Sequence, residues 1–288
     1  MIRTEPAMKP LDSVAILGVG LIGGSIGLAL RKRKLARQVI GLGRNSTRLR
    51  TARRRGAVTS TTTRWARGVA GAELIVVCTP VGQIVDHILE LAQYCSQPTL
   101  ITDVGSTKQV LVESLSGKLP SHVRFVGSHP MAGSEKTGVR YSHDDLFQGR
   151  VAIVTPSSET TKESVKSVCR FWEALGSRVI TMTPDVHDQA VGAVSHLPHV
   201  AATVLAAGAS SQYQSLASSG WLDTTRVAAG DPRLWQQIFE ENKDHVLTSI
   251  DQFAELLGQF RDALAKDDRR TVSRILKAGK RNRDALGS

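Results

Sequence analysis

Four apolar residues, Val14, Ala15, Ile16 and Leu17, run into glycines at 18, 20 and 23, and a stretch with helical spacing follows to Leu30. That order predicts strand, glycine turn and helix. Apolar runs then recur at residues 38–42, 73–78, 99–103, 125–128, 151–154 and 178–182, each short enough to be a strand. Between them a basic segment, 48–55, and the segments 84–94 and 162–175 carry helical spacing, the second through Ile84, Ile88 and Leu91. Strands alternating with helices of this length predict an α/β fold, a doubly wound parallel sheet of the dinucleotide-binding kind. Pro80 cannot extend a central strand, so the chain turns at Thr79, at the carboxyl edge where open α/β sheets bind ligands.

After Met182 no strand pattern returns. Residues 184–211 are Ala- and Val-rich with helical spacing, broken only by Pro198, and residues 208–230 form a small-residue connection holding Trp221, Asp223 and Arg226. Asp231 and Pro232 read as an N-cap with proline at the first helical position. From there Trp235, Ile238, Phe239, Val246, Ile250, Phe253, Leu257, Phe260 and Leu264 recur at three- and four-residue steps. One helix carrying them to Lys266 would be roughly 50 Å long, beyond the diameter of a small domain. A stripe that long needs a second helix to cover it. A last helix is expected over 268–286. The division is therefore a sheet domain at 1–183 and an all-helical domain at 184–288. The helical domain is expected to form a homodimer, the alternative being a monomer whose own helices cover the stripe.

Composition narrows the function classes. The chain has 288 residues, 41% hydrophobic and 22% charged, as in a soluble globular protein. Its three cysteines, Cys78, Cys95 and Cys169, are odd in number and widely spaced, which excludes a disulfide framework or CxxC metal site and fits a reducing, cytoplasmic setting. Residues 1–10 lack the apolar core of a signal peptide, and the richest apolar stretch, 17–30, is interrupted by five glycines, so no membrane span is expected. The net charge is +11, and residues 13–72 hold thirteen Lys or Arg and no acid. Trp65 is the sole aromatic residue in that segment and no nucleic-acid-binding motif accompanies it, so an anionic small ligand or a solvated face is a better reading than nucleic acid.

The glycine turn supplies the first candidate chemistry. Gly18 permits the turn, Gly20 keeps the backbone open to a pyrophosphate, and Gly23 lets the helix lie close on the strand. Phosphates then meet the free N–H groups of Leu21, Ile22 and Gly23 at the positive helix end. In NAD-binding folds an acid closes the second strand and bonds the ribose 2′-hydroxyl. Here Gly43 stands at that position, and Arg44, Asn45 and Arg48 offer donors to a 2′-phosphate, which favours NADP over NAD. The alternative leaves Arg44 in solvent. Thr79, Pro80 and Asp103 reach the same sheet edge and complete the expected cofactor contacts.

Oxidation of an alcohol by a nicotinamide needs a group to accept the hydroxyl proton, and histidine is poised for it. Of eight histidines, His87 and His245 fall on amphipathic helices as surface residues, and His122 and His143 lie in polar loops. His187 lies on the Ala- and Val-rich helix. His129 follows a strand directly and is set by Pro130. His196 and His199 share a helix face, but HLPH is not HExxH and no third ligand is near, so no metal site is expected. A serine hydrolase using Ser195 would need a GxSxG turn, which is absent.

Taken in order, GVGLIGGSIGLAL, DVGSTK, SHPMAGSEKTG, SHLPH and TTRVAAGDPRLW resemble the prephenate and arogenate dehydrogenase family of tyrosine biosynthesis, from Val14 to about Leu286. The resemblance implies that His129 takes the proton of the substrate's ring hydroxyl and that Ser106 orients histidine, substrate and nicotinamide. It implies that His199 and Arg226 hold substrate carboxylates, that Ser195 and His196 line the pocket, and that Glu135 gates or shapes it. The reaction implied is oxidative decarboxylation of prephenate or arogenate, to 4-hydroxyphenylpyruvate or tyrosine, with hydride transfer to NADP or NAD in a homodimer. The pair Gly43 and Arg44 departs from the acid of NAD-using members. Two rivals remain. A β-hydroxyacid-type NADP dehydrogenase would need a catalytic lysine on the first long helix of the second domain, yet no lysine occurs between Arg178 and Arg233. A nucleotide-sensing protein would use the basic face without turnover.

Overall fold

A computed structural model describes residues 8–287. The first half runs β1 (Leu11–Leu17), α1 (Leu21–Lys32), β2 (Ala36–Leu42), α2 (Ser46–Arg54), β3 (Ser60–Thr62), α3 (Trp65–Val69), β4 (Leu74–Val77), α4 (Ile84–Gln93), β5 (Thr99–Asp103) and α5 (Gln109–Leu115). It continues through β6 (Val123–Pro130), β7 (Val151–Thr155), α6 (Lys162–Ala174) and β8 (Arg178–Thr181). The second half is α7 (Pro184–Val191), α8 (Leu197–Ala207), α9 (Ser219–Thr225), α10 (Pro232–Glu241), α11 (Lys243–Ala265) and α12 (Arg269–Asp284).

The described strands form one sheet in the order β3-β2-β1-β4-β5-β6-β7-β8. Side chains alternate across it: Val14 and Ile16 of β1 pack with Ile26, Leu30 and Trp172, whereas Ala15 and Leu17 pack with Ile75, Ile84 and Ile88 on the other face. Burial on both faces is why the central strands read as continuous apolar runs. The strand order reverses between β1 and β4, which opens a crevice at their carboxyl ends, beside the glycine turn.

The sheet is mixed, not wholly parallel. β6 pairs parallel with β5 through residues 123–126 and antiparallel with β7 through residues 127–130. The segment between β6 and β7 contains one short turn, Val139–Tyr141, and no crossover helix, so the chain returns in the opposite direction.

Two helical expectations need correction. Pro198 does not break its helix: α7 continues into α8 through a π turn, Gly192–His196, in which the Leu197 N–H reaches back to Gly192 O. The widened turn absorbs the missing proline donor and the clash it would cause. The single helix from Asp231 to Lys266 is in fact two, α10 and α11, parted at Asn242 (φ −112°, ψ 31°). The Asn242 side chain leaves the helix surface to donate to Asp188 O at 2.8 Å. The Asp231 cap is present, its Oδ1 accepting the Arg233 N–H at 2.9 Å.

Residues 184–207 are long and apolar enough to cross a membrane by length and composition, which the sequence reading did not anticipate. Here that helix buries His187, Asp188, His196 and His199 inside the fold. Its outer side exposes Val194 and Val204, and α11 exposes Phe253, Leu256 and Leu257.

Candidate active site

The glycine turn sits at the mouth of the crevice. Gly18 has φ +92°, and a Cβ there would stand 2.6 Å from Cys78 O. A Cβ at Gly23 would stand 2.3 Å from Gly18 O, so helix and strand approach as closely as glycine allows. A Cβ at Gly20 would meet nothing within 4 Å, leaving open space over the first turn of α1. No side chain caps that helix and its first turn carries no acid, so the N–H groups of Leu21, Ile22 and Gly23 point into an uncommitted anion site. These residues fit a dinucleotide's pyrophosphate.

At the end of β2, Gly43 is half-buried and Arg44 exposed. Asn45 is the N-cap of α2, its Oδ1 accepting the Arg48 N–H at 3.0 Å, so the Asn45 oxygen is committed within the protein. Arg48 itself is exposed on the same helix turn. Across the crevice, Thr79 Oγ1 is 2.9 Å from His87 Nδ1, and the Trp65 ring meets His87 edge-on with centroids 5.1 Å apart. Burial, then the charge of Arg44, holds His87 below its ordinary pKa. His87 is therefore a half-buried member of this crevice and not the surface residue expected. Pro80 is exposed beside it.

Asp103 does not reach the cofactor side. Its carboxylate is fully buried, with Oδ1 accepting the Ser128 N–H at 3.0 Å and Oδ2 accepting the Gly105 N–H and the Lys108 ammonium at 2.7 and 2.6 Å. The Ser128 hydroxyl donates to Asp103 O at 2.6 Å. These bonds weld the ends of β5 and β6 together and thereby fix the neighbours of Ser106 and His129.

His129 lies within β6, opposite Ile153 of β7, and not in a loop after the strand. It is 8% exposed. Its Nδ1 is 2.9 Å from His187 Nε2, and His187 Nδ1 is 2.7 Å from Asp188 Oδ1. The Asp188 carboxylate also accepts the backbone N–H groups of Lys108 and Gln109, at 2.8 and 2.9 Å, and so caps α5 from the helical half. Burial, followed by the charges of His187 and Lys108, holds His129 well below its ordinary pKa. Burial also lowers His187. Burial opposes ionisation of Asp188, but its hydrogen bonds outweigh that and leave its pKa below the usual carboxylate range.

Helices α7, α8 and α10 form the opposite wall. His199 stacks on Trp235 with centroids 3.5 Å apart and planes 11° from parallel, and His196 meets the same indole edge-on. Asn242 Nδ2, which donates to Asp188 O, also lies 3.0 Å from His196 Nδ1. His196 Nδ1 is then an acceptor, so its Nε2 carries the proton. Burial drops the His196 pKa to about 4. Both His196 Nε2 and His199 Nδ1 are buried without a protein partner among the described residues. Ser195 lies half-buried in the π turn. At the rim, Arg226 Nη1 is 3.3 Å from Glu135 Oε2, joining the turn after α9 to the loop after β6.

Sequence reasoning missed His187, Asp188, Trp235 and Asn242 as site residues. Trp235 was assigned to a hydrophobic stripe, and the other three gather only through contacts 46 to 80 residues apart in the chain.

Comparison with known proteins bears on this geometry. Models of the prephenate dehydrogenase nucleotide-binding domain and of the prephenate dehydrogenase dimerization domain match residues 26–181 and 183–278. The chain is 33% identical over 282 residues to the prephenate dehydrogenase of Bacillus subtilis, covering 96% of this chain and 76% of that one. It is 33% identical over 270 residues to the cyclohexadienyl dehydrogenase of Zymomonas mobilis, covering 91% of each. The solved prephenate dehydrogenase from Aquifex aeolicus, in complex with hydroxyphenyl propionate and NAD+, superposes with a TM-score of 0.88 at 32% identity, over 96% of this chain and 98% of that one.

Proposed function

The chain belongs to the prephenate dehydrogenase family and is an NAD(P)-dependent dehydrogenase of prephenate or arogenate, and within that activity we propose that it prefers NADP and uses His129 as its base. The observation that carries the reading is the His129 ring: Nδ1 is engaged by His187, and Nε2 has no protein partner among the described residues. The His196 ring lies near enough to lower the His129 pKa further, and it shares the Trp235 indole with His199.

A bound nicotinamide supplies the acceptor for the hydride that leaves ring C4. His129 Nε2 takes the hydroxyl proton as the C4 oxygen becomes a carbonyl. The electron pair of the bond between C1 and its carboxylate then flows into the ring, carbon dioxide departs, and the oxygen, now phenolate, recovers the proton from His129. Aromaticity drives the last step, so a metal is not called for. Ser106, on the loop following β5, orients the hydroxyl. Arg226 grips a carboxylate in a bidentate fork that lysine could not reproduce, and its contact with Glu135 sets the position of the loop over the pocket. His199 and the Nε2 donor of His196 hold the remaining polar groups of the side chain, with Ser195 beside them.

NADP is supported by Gly43 at the strand end, where no carboxylate repels a 2′-phosphate, and by exposed Arg44 and Arg48 beside it. The helical half matches a dimerization domain, and the apolar side chains exposed on α11 support a homodimer through residues 184–288, with the sheet domain at 1–183. Three free cysteines accord with a reducing, cytoplasmic setting. The test is reduction of NADP+ and NAD+ followed with prephenate and with arogenate. Turnover with at least one substrate and a higher kcat/KM for NADP+ is expected. Absence of turnover with both would refute the reading, and an equal or higher kcat/KM for NAD+ would refute its cofactor preference.

A further inference from the structure

Three side chains from two halves of the molecule are hydrogen-bonded in series: His129 on β6, then His187 and Asp188 on α7. We propose that His187 and Asp188 act as positioning residues for the base, fixing the tautomer of His129 and stabilising the imidazolium it becomes; the proposal rests on His129 being the base.

Each proton in the line follows from its neighbour. Asp188 Oδ1 accepts the Lys108 N–H at 2.8 Å and Oδ2 accepts the Gln109 N–H at 2.9 Å. Backbone amides only donate, so the carboxylate is an acceptor throughout, and the contact at 2.7 Å requires a proton on His187 Nδ1. A neutral His187 then has its lone pair on Nε2. That lone pair is 2.9 Å from His129 Nδ1, which must in turn carry the proton of that ring. His129 Nε2 is left unprotonated, as abstraction from a hydroxyl demands. When Nε2 takes the substrate proton, the positive charge forms on a ring whose other nitrogen donates to His187, itself held by a buried carboxylate.

The surroundings make this alignment consequential. Lys108 is fully buried near both histidines and disfavours charge on either, while Asp103 neutralises Lys108 at 2.6 Å. His196 approaches from the π turn before α8 but remains neutral, its Nδ1 occupied by Asn242. Asp188 is thus the anion in direct line with the base. Asn242 and the N-terminus of α5 hold Asp188 from both sides, so the line spans the junction of the two halves.

The two positions separate experimentally. In Asp188→Asn one oxygen remains, and kept at Oδ1 it still accepts the Lys108 N–H and the His187 Nδ1–H, so the tautomer survives while the negative charge that stabilises the imidazolium is lost. kcat should fall about tenfold or more with KM changed by less than about threefold, the pattern of an interaction that acts in the transition state. In His187→Gln the amide oxygen still accepts from His129, so the tautomer survives and only imidazolium stabilisation is lost, with kcat down about tenfold. His187→Leu removes both effects and should be slower than His187→Gln. The readout that a merely structural role would not move is the ¹⁵N spectrum of the His129 ring. It should report Nδ1–H in the parent, in Asp188→Asn and in His187→Gln, and lose that preference in His187→Leu. An Nε2–H tautomer in the parent overturns the proposal, as does a folded Asp188→Asn that keeps its kcat. Should Asp188→Asn fail to fold, equal kcat in His187→Gln and His187→Leu overturns it. The spectrum needs no turnover, so failure of the relay is distinguished from failure of the functional reading. Parent turnover abolished by His129→Asn but untouched by both His187 variants would sink the relay alone.

Discussion

Lys108 Nζ lies 2.6 Å from Asp103 Oδ2, and neither side chain is reached by solvent. A buried ion pair is costly to assemble and costlier to break, because removing one partner strands the other charge. Lys108→Met should therefore destabilise the fold by about 3–5 kcal/mol, read as a lower urea midpoint. Neutralising both members, as Lys108→Met with Asp103→Leu, should recover part of that loss. Lys108 also disfavours charge on His129, so in any folded Lys108→Met the acid limb of kcat/KM moves to higher pH. An unchanged urea midpoint would mean that the pair contributes nothing to holding β5 against β6.

His129→Asn tests the base directly. The substituted side chain still fits the strand and its amide can still donate to His187 Nε2, but it cannot hold a proton between the hydroxyl and the phenolate. kcat should drop by ~10²-fold or more with a smaller change in KM, because the lost contact acts mainly in the transition state. Full turnover by this variant would remove His129 from the mechanism.

What the sequence disclosed depends on how local the determining contacts are. β1 and α1 were legible because their apolar periodicity and three glycines are contiguous, and each glycine answers a distance that a Cβ would violate or leave open. β3, three polar residues at Ser60–Thr62, was invisible because its order comes from pairing with β2. The antiparallel return of β7 was missed because strand direction is set by the connection, and the segment after His129 carries no helical period. The Asn242 break escaped notice since Phe239 and Val246 continue the stripe across it; the cause is a bond to Asp188, 54 residues away. Asp103 looked like a site residue from its place after a strand, yet its partner five residues on turns it inward. His129 was recognisable from its place at a strand end, whereas His187 and Asp188 had no spacing to betray them.

Cofactor preference turns on two positions. A Cβ at Gly43 would meet Leu49 Cδ2 at 3.5 Å, an ordinary contact, so an aspartate can be placed there without disturbing α2. Its carboxylate would repel a 2′-phosphate and accept from a ribose hydroxyl, while Arg44→Ala removes the opposing charge. A hydrogen bond to a charged group is worth about 1.5–3 kcal/mol, roughly 10- to 100-fold. Gly43→Asp with Arg44→Ala should shift the ratio of kcat/KM for NADP+ over NAD+ toward NAD+ by at least ~10-fold. A ratio that does not move would place recognition of the 2′ position elsewhere.

Buried neutral histidines also make stability depend on pH in a direction that can be worked out. Burial holds His129, His187 and His196 below the ordinary histidine value, His196 at about 4. In the unfolded chain each titrates near 6.5, so below that pH the unfolded state binds protons that the folded state refuses. Stability is therefore complete above ~6.5 and declines as pH falls toward the folded values, each histidine contributing up to about 1.4 kcal/mol per pH unit. Asp188, whose pKa is lowered, adds its own loss only below the carboxylate range near 4. Urea midpoints should accordingly be lower at pH 5.5 than at pH 7.5, and His196→Asn should lessen the difference by one proton's share. A midpoint that stays level or rises on acidification would show that these rings accept protons without leaving the fold, and that His129 is not held neutral by its surroundings.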